Sequence, residues 1–264
     1  MSFLDTILKV KKEEVALLRK NNTLAGFKEM ELFNNTSFSL KNAVRRNDRL
    51  GIIAEIKKVS PSKGVLRKDF NFLAIAGIYM GNSVDAISVL TDRNYFRGDI
   101  QYLNEIAKLK TVPLLRKDFI IDEYQVYEAK ANGADAVLLI AEALSLSQIK
   151  ELTSVSREIG LEVLLELHAM DQLGKIDFSI NDLIGINNRD LTTFNVDINT
   201  TLKLSKHIPD KVTIISESGL NTSDCIRIIL GSKARGVLAG EYFMKAQNIG
   251  ESLKEFQGWC KFES

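Results

Sequence analysis

Short apolar runs punctuate the chain, and each ends in polar or charged residues: IIAEIKKVSPSKG (52–64), PLLRKDF (113–119), VLLELH (163–168), LIGINNRDL (183–191), TIISESGL (213–220) and GVLAGEYF (236–243). The intervening stretches repeat apolar residues at helical spacing. Strand, polar cluster and helix in rotation predict an α/β protein built as a single (β/α)8 (TIM) barrel. In that fold chemistry gathers at the C-terminal ends of the strands. The pattern predicts strands near 51–57, 84–90, 112–117, 135–140, 161–167, 182–187, 211–216 and 235–239. Most are Val/Ile/Leu-rich without alternation, as parallel strands covered on both faces should be. Helices are expected near 71–82, 99–109, 122–132, 145–159, 170–176, 197–206, 222–230 and 249–260.

Local signals agree with these bounds. Asp122, Ser145 and the run Asn221-Thr222-Ser223-Asp224 stand where N-caps belong, and Gly133 and Gly160 stand just past helix ends. Residues 1–47 precede the first strand and read as two extra helices packed on the barrel. Leu4, Ile7, Leu8, Val15 and Leu18 share one helical face there. The expected organisation is one barrel domain over 1–264, with no second enzyme fused to it. A doubly wound open sheet is the competing arrangement, but no G-x-G-x-x-G follows the first strand.

Composition narrows the function classes. The 264 residues match the roughly 250 of one barrel. Lys and Arg number 35 against 34 Asp and Glu, a net charge of +1. That balance supplies no field for nucleic acid or a membrane surface, so neither is expected as a partner. No run approaches the ~20 apolar residues of a spanning helix, and the N-terminus lacks a signal-peptide core. The two cysteines, Cys225 and Cys260, have no metal-ligand spacing and fit a reduced, cytoplasmic protein. With two histidines, a His-based zinc site or a Ser-His-Asp triad has little material.

Candidate chemistry lies at the strand ends. Glu55 and Lys57 are two apart, so both point inward above Ile53 while Ala54 and Ile56 face the helices. They read either as a structural ion pair or as working groups, the second being favoured. Lys117 ends the third strand. In a partly dry mouth its pKa is expected to fall, making it an acid near neutrality; a solvated strand end and a Schiff-base lysine are the other readings. Arg116 points to the helix side, with Asp118 its guessed partner. Glu166 ends the fifth strand as a candidate base. Glu162, at the opposite end, reads as structural, and His168, past the strand, as a hydrogen-bonded structural residue outside the site. Asn187 and Arg189 share a face after the sixth strand, and Arg can grip a carboxylate. Glu217, Ser218 and Gly219 follow the seventh strand; Leu238 and Gly240 close the eighth. Loops at these two ends often bind phosphate in such barrels. The loop Ser60-Pro61-Ser62-Lys63-Gly64 is a solvated turn or an anion-binding flap.

These clusters, in this order, resemble the indole-3-glycerol phosphate synthase family. IIAEIKKVSPSKG carries most of the resemblance. LTDRNYFRGDIQYL, LLRKDFIIDEYQVYEAKANGADAVLLI, GINNRDLTTFNVD, ISESGL and VLAGEYFMK extend it from about residue 51 to 245. The resemblance implies ring closure, decarboxylation and dehydration of 1-(2-carboxyphenylamino)-1-deoxyribulose 5-phosphate in tryptophan biosynthesis, with no metal and no cofactor. It implies Lys117 as catalytic acid, Glu166 as base and Glu55 with Lys57 as helpers in dehydration, leaving the division of proton work among the four open. Glu217 and Asn187 match residues that orient the substrate, and Arg189 and Ser60 match its anthranilate end. Ser218, Gly219, Gly240 and Glu241 match the phosphate region, with the Glu241 side chain expected to turn away. Leu238 and Phe96 are apolar walls. The partner implied is a small phosphorylated molecule, and the chain is expected as a monomer or weak homodimer. A phosphoribosylanthranilate isomerase, a Schiff-base aldolase and a non-catalytic barrel scaffold are the alternatives.

Overall fold

A computed structural model describes residues 2–262. Eight parallel strands close into a barrel: β1 (Gly51–Ile56), β2 (Ala86–Leu90), β3 (Leu114–Lys117), β4 (Ala136–Ile140), β5 (Glu162–Leu167), β6 (Leu183–Asn187), β7 (Thr213–Glu217) and β8 (Gly236–Ala239). Closure comes from β1 pairing with both neighbours, Ile53 lying opposite Leu238 on β8 and Ala86 on β2. Alternation along each strand then sorts the side chains. Ile53, Ala86, Leu115, Leu138, Leu164 and Ile215 fill the interior, while Ile52, Ala54, Val89, Val137, Leu165 and Ile214 pack outward under the helices. One step beyond the interior layer in the chain direction, the same inward parity reaches Glu55, Lys117, Glu166, Asn187 and Glu217. The register sets Glu166 beside Gly185 and Asn187 beside Glu217.

Between and around the strands run α1 (Phe3–Asn21), α2 (Leu24–Lys28), α3 (Leu40–Val44), α4 (Phe72–Gly81), α5 (Ile100–Ala107), α6 (Glu123–Ala131), α7 (Leu146–Glu158), α8 (Asn199–Ser205), α9 (Ser223–Leu230), α10 (Glu241–Lys245) and α11 (Ile249–Trp259). Asp122, Ser145 and Thr222 cap their helices, as their side chains predicted, each accepting from a backbone N–H in the first turn. No described helix is long and apolar enough to cross a membrane.

Three elements differ from the sequence reading. The N-terminal region holds three helices instead of two, because Ser39 caps the short α3 and Leu40 and Val44, four apart, enter the interior cluster at the N-terminal end of the barrel. Glu162 anchors that helix, accepting from Ser39 Oγ at 2.6 Å and the Lys41 amide at 2.8 Å. This is the structural part its position suggested. The helix expected near 170–176 is a 3-10 turn, Met170–Lys175. Finally, α10 follows β8 directly, ahead of α11.

Candidate active site

Six of the inward-facing polar side chains meet at the C-terminal end of the barrel. Lys117 Nζ lies 3.0 Å from Glu166 Oε2 and also donates to Glu217 Oε2. Asn187 Nδ2 donates to Glu166 Oε1 at 3.3 Å. Lys57 pairs with the buried Glu55 carboxylate. These groups arise from β1, β3, β5, β6 and β7, so barrel closure alone assembles them. Room for Glu217 comes from β6: a Cβ at Gly185 would stand 2.2 Å from Glu217 Oε1.

The electrostatics correct the expectation for Lys117. Burial does push its ammonium towards neutrality, but Glu166, Glu217 and Glu55 outweigh that effect and hold its pKa above the ordinary value. Burial likewise raises Glu166, yet Lys117 and His168 prevail and keep it below the usual carboxylate range. Glu217 goes the other way. Burial, opposed by Lys117 but reinforced by Glu166, pushes it up to about 8. The surroundings therefore favour the protonated forms of Lys117 and Glu217 and the ionised form of Glu166. Neighbouring groups forced apart in this way supply both an acid and a base. A firmly protonated lysine is a poor amine nucleophile, which counts against the Schiff-base reading.

The rim holds the remaining predicted residues. Arg189 reaches from beyond β6 to Ser62 Oγ (3.4 Å), the Phe194 carbonyl (3.2 Å) and the Glu241 carboxylate (3.7 Å). Ser60, Phe96, Ser218, Gly219, Leu238, Gly240 and Glu241 all line the same cavity. Ser218 (φ 67°) and Gly219 (φ 78°) are consecutive left-handed residues, a costly turn for serine of the kind that concentrates at functional sites. Gly240 also makes room for a neighbouring side chain. Its missing Cβ leaves space for Glu55, whose Cβ and Oε1 would both lie 2.8 Å from an added methyl. The Glu241 carboxylate is bonded to Lys245 at 2.5 Å.

Several cavity residues escaped the sequence reading. Phe3, Leu4 and Ile7 show that the apolar face of α1 forms one wall, with Phe119, Leu191 and Phe194. Lys11 holds that helix in place. It is 1% exposed and bridges Asp92 (2.8 Å), Asp118 (2.9 Å) and Glu14 (2.8 Å). A signal existed, since Lys11 interrupts the apolar stripe running through Leu4, Ile7, Val15 and Leu18. Asp118 also meets Arg116, as guessed, though Arg116 finds a closer partner in Glu128 at 2.8 Å. His168 does not line the cavity, but its Nε2 lies 3.2 Å from Glu166 Oε1 and its Nδ1 lies 3.6 Å from Glu142. Its parity with Glu166 was the available sign.

Fold and mouth together define a (β/α)8-barrel enzyme equipped for proton transfer on a small anionic molecule. Solved structures show the same fold in distant proteins: KGPDC from Streptococcus mutans superposes with a TM-score of 0.60 at 15% identity, over 80% of this chain and 97% of that one. Sequence comparison is far closer. The family model described as indole-3-glycerol phosphate synthase matches residues 4–256. The indole-3-glycerol phosphate synthase of Thermoanaerobacter pseudethanolicus is 44% identical over 97% of this chain and 98% of its own. That of Chromobacterium violaceum is 42% identical over 95% and 96%. The chain belongs to the indole-3-glycerol phosphate synthase family.

Proposed function

We propose that this mouth converts 1-(2-carboxyphenylamino)-1-deoxyribulose 5-phosphate into indole-3-glycerol phosphate, carbon dioxide and water, the ring-closing step of tryptophan biosynthesis. The observation that carries the reading is the buried Lys117 ammonium held between the Glu166 and Glu217 carboxyl groups at the barrel mouth.

The ring carbon bearing the carboxylate attacks the ketone carbon. Negative charge develops on the ketone oxygen, and Lys117 donates its proton there. The C–CO2 bond then breaks, its electron pair restoring the aromatic ring. Dehydration follows: the new hydroxyl leaves as water after protonation, while Glu166 removes a proton from the five-membered ring so that the second double bond forms. The Glu55–Lys57 pair assists the departing hydroxyl. Asn187 and Glu217 orient the anilino nitrogen and the ribulose hydroxyls. Arg189 and Ser60 take the anthranilate carboxylate, and Phe96 and Leu238 sandwich its ring. The backbone of Ser218, Gly219, Gly240 and Glu241 takes the phosphate, with the Glu241 carboxylate occupied by Lys245 and Arg189 instead of facing the anion. The chain acts as one barrel unit with residues 1–47 as its extension, in the cytoplasm, as a monomer or weak homodimer.

The test adds the carboxyphenylamino-deoxyribulose phosphate to purified enzyme and follows indole fluorescence. Turnover is expected in the wild type. Lys117→Ala and Glu166→Gln should each lose about 2–4 kcal/mol of transition-state stabilisation, roughly 30- to 1,000-fold in kcat/KM. No product from well-folded wild type rejects the function. Near-wild-type rates in either variant, with chemistry rate-limiting, remove that residue from the mechanism.

A further inference from the structure

The Glu166 carboxylate has two faces. Its Oε2 meets Lys117, whereas Oε1 receives Asn187 at 3.3 Å and faces His168 Nε2 at 3.2 Å. The His168 side chain is 5% exposed and does not line the substrate cavity. Both of its ring nitrogens are buried without an aligned hydrogen bond, yet each looks onto a carboxylate oxygen, Glu166 on one side and Glu142 on the other. A neutral imidazole would turn a lone pair towards one of those anions, so the surroundings demand an N–H on both sides. The charged groups around it are mostly acidic. Glu166 lies two residues back on β5, Glu142 follows β4, and Glu217 and Asp190 act from β7 and the loop after β6. Lys117 is the opposing cation, on the far oxygen of Glu166. Although burial works against the imidazolium, Glu166, Glu142 and Glu217 outweigh it and raise the His168 pKa. The backbone of His168 is held independently, its amide donating to Gln172 Oε1 at 2.8 Å.

We propose that His168 is a positioning residue for the ring-closing reaction: a cation that anchors Glu166 Oε1 from behind, so that Oε2 stays aimed at Lys117 and the carboxylate is ready to accept a proton. The inference rests on the function proposed above. In that reaction Glu166 has to be ionised and correctly rotated when dehydration begins. Lys117 alone cannot guarantee this, because it gives up its proton in the preceding step. At that moment His168 is the remaining cation in contact with Glu166.

Two measurements test it, one of them independent of turnover. With only two histidines in the chain and His207 exposed, imidazole NMR resolves both. His168 is expected to titrate above the ordinary ~6.5, and Glu166→Gln should lower that value while leaving His207 unmoved. Titration of His168 at or below ~6.5, or indifference to Glu166→Gln, overturns the proposal even if the enzyme proves inactive on the tested substrate. In the second, pH profiles of kcat and KM are compared for wild type and His168→Gln, which keeps a donor but no charge. With the fold confirmed by circular dichroism, kcat is expected to fall roughly tenfold, the equivalent of about one pKa unit of lost stabilisation. KM should hold within about twofold, since His168 touches no substrate. The acid limb of kcat should move towards neutrality as Glu166 becomes easier to protonate. An unchanged kcat and acid limb in a wild type that turns over would show His168 to be merely structural. Absence of turnover by the wild type instead rejects the function, and the NMR result then decides the positioning claim alone.

Discussion

At the scale of single residues, parity along the strands was enough to find which side chains point into the mouth. It could not give their charge states, because these depend on distances between residues 49 and 100 positions apart in the chain. Lys117 shows the difference. A lysine considered by itself in a dry site should lose its proton, but Glu166 and Glu217, brought in by other strands, reverse the outcome. Glu217 carries the testable consequence. Its folded pKa of about 8 stands above the ordinary 4.5. Between these values the native state holds a proton that the unfolded chain has released. The stability this contributes is complete below about 4.5, declines as pH rises and is gone above about 8. Glu217→Gln copies the protonated form with a neutral amide. The variant should therefore gain stability relative to wild type as pH rises from 5 to 9, measured by urea denaturation at each pH. A stability difference that stays flat across this range would mean that Glu217 is ionised in the folded protein at neutral pH.

At the scale of elements, the barrel strands and most helices were legible because each satisfies its own local rule: apolar runs of strand length, Asp, Ser or Thr at N-caps, glycine after a C-terminus. The short pieces were not. α3 and α10 have five residues each, too few for a periodicity to register, and both exist because the barrel end beside them gives them something to pack on. The position of α1 was hidden for a different reason. Its amphipathic face announces that it covers something, while what it covers is decided by Lys11 meeting Asp92 and Asp118 beyond β2 and β3. That ion cluster is almost wholly dry. Removing the cation leaves buried carboxylates uncompensated, so Lys11→Met should cost about 3–5 kcal/mol at pH 7. Asp118 is held down to about 2 although burial opposes it, with Lys11 and Arg116 the opposing cations. Its contribution is present above its unfolded value of 3.8 and disappears as pH falls through about 2. The penalty of Lys11→Met should accordingly shrink in acid. Because Phe3, Leu4 and Ile7 wall the cavity, the variant should also show a raised KM. A loss under about 1 kcal/mol, with KM unchanged, would mean that α1 is held by its apolar face alone.

At the scale of the whole molecule, the two ends of the barrel use buried charge in opposite ways. At the N-terminal end two buried aspartates are fully matched. Asp135 is fully buried and accepts the amides of Leu114 and Phe38, each at 2.8 Å, and pairs with Lys110 at 2.7 Å. Asp85 does the same for the Ile52 amide and Arg49. At the C-terminal end the charges crowd. Glu166 and Glu217 compete for one lysine, and Glu217 Oε1 and both His168 nitrogens lack aligned partners. Mismatch of this kind costs stability and is kept where it serves chemistry. Substitutions at the two ends should therefore separate cleanly. Asp135→Ala strands Lys110 and two amides, so it should lose about 3–5 kcal/mol of stability while each molecule that still folds keeps its kcat/KM. Glu217→Gln should leave stability at neutral pH intact or increased while lowering kcat/KM. Urea denaturation beside steady-state kinetics on the same two preparations decides the matter. If Asp135→Ala lost activity per folded molecule as steeply as Glu217→Gln does, the N-terminal end would be coupled to the chemistry, and this division of labour along the barrel axis would fail.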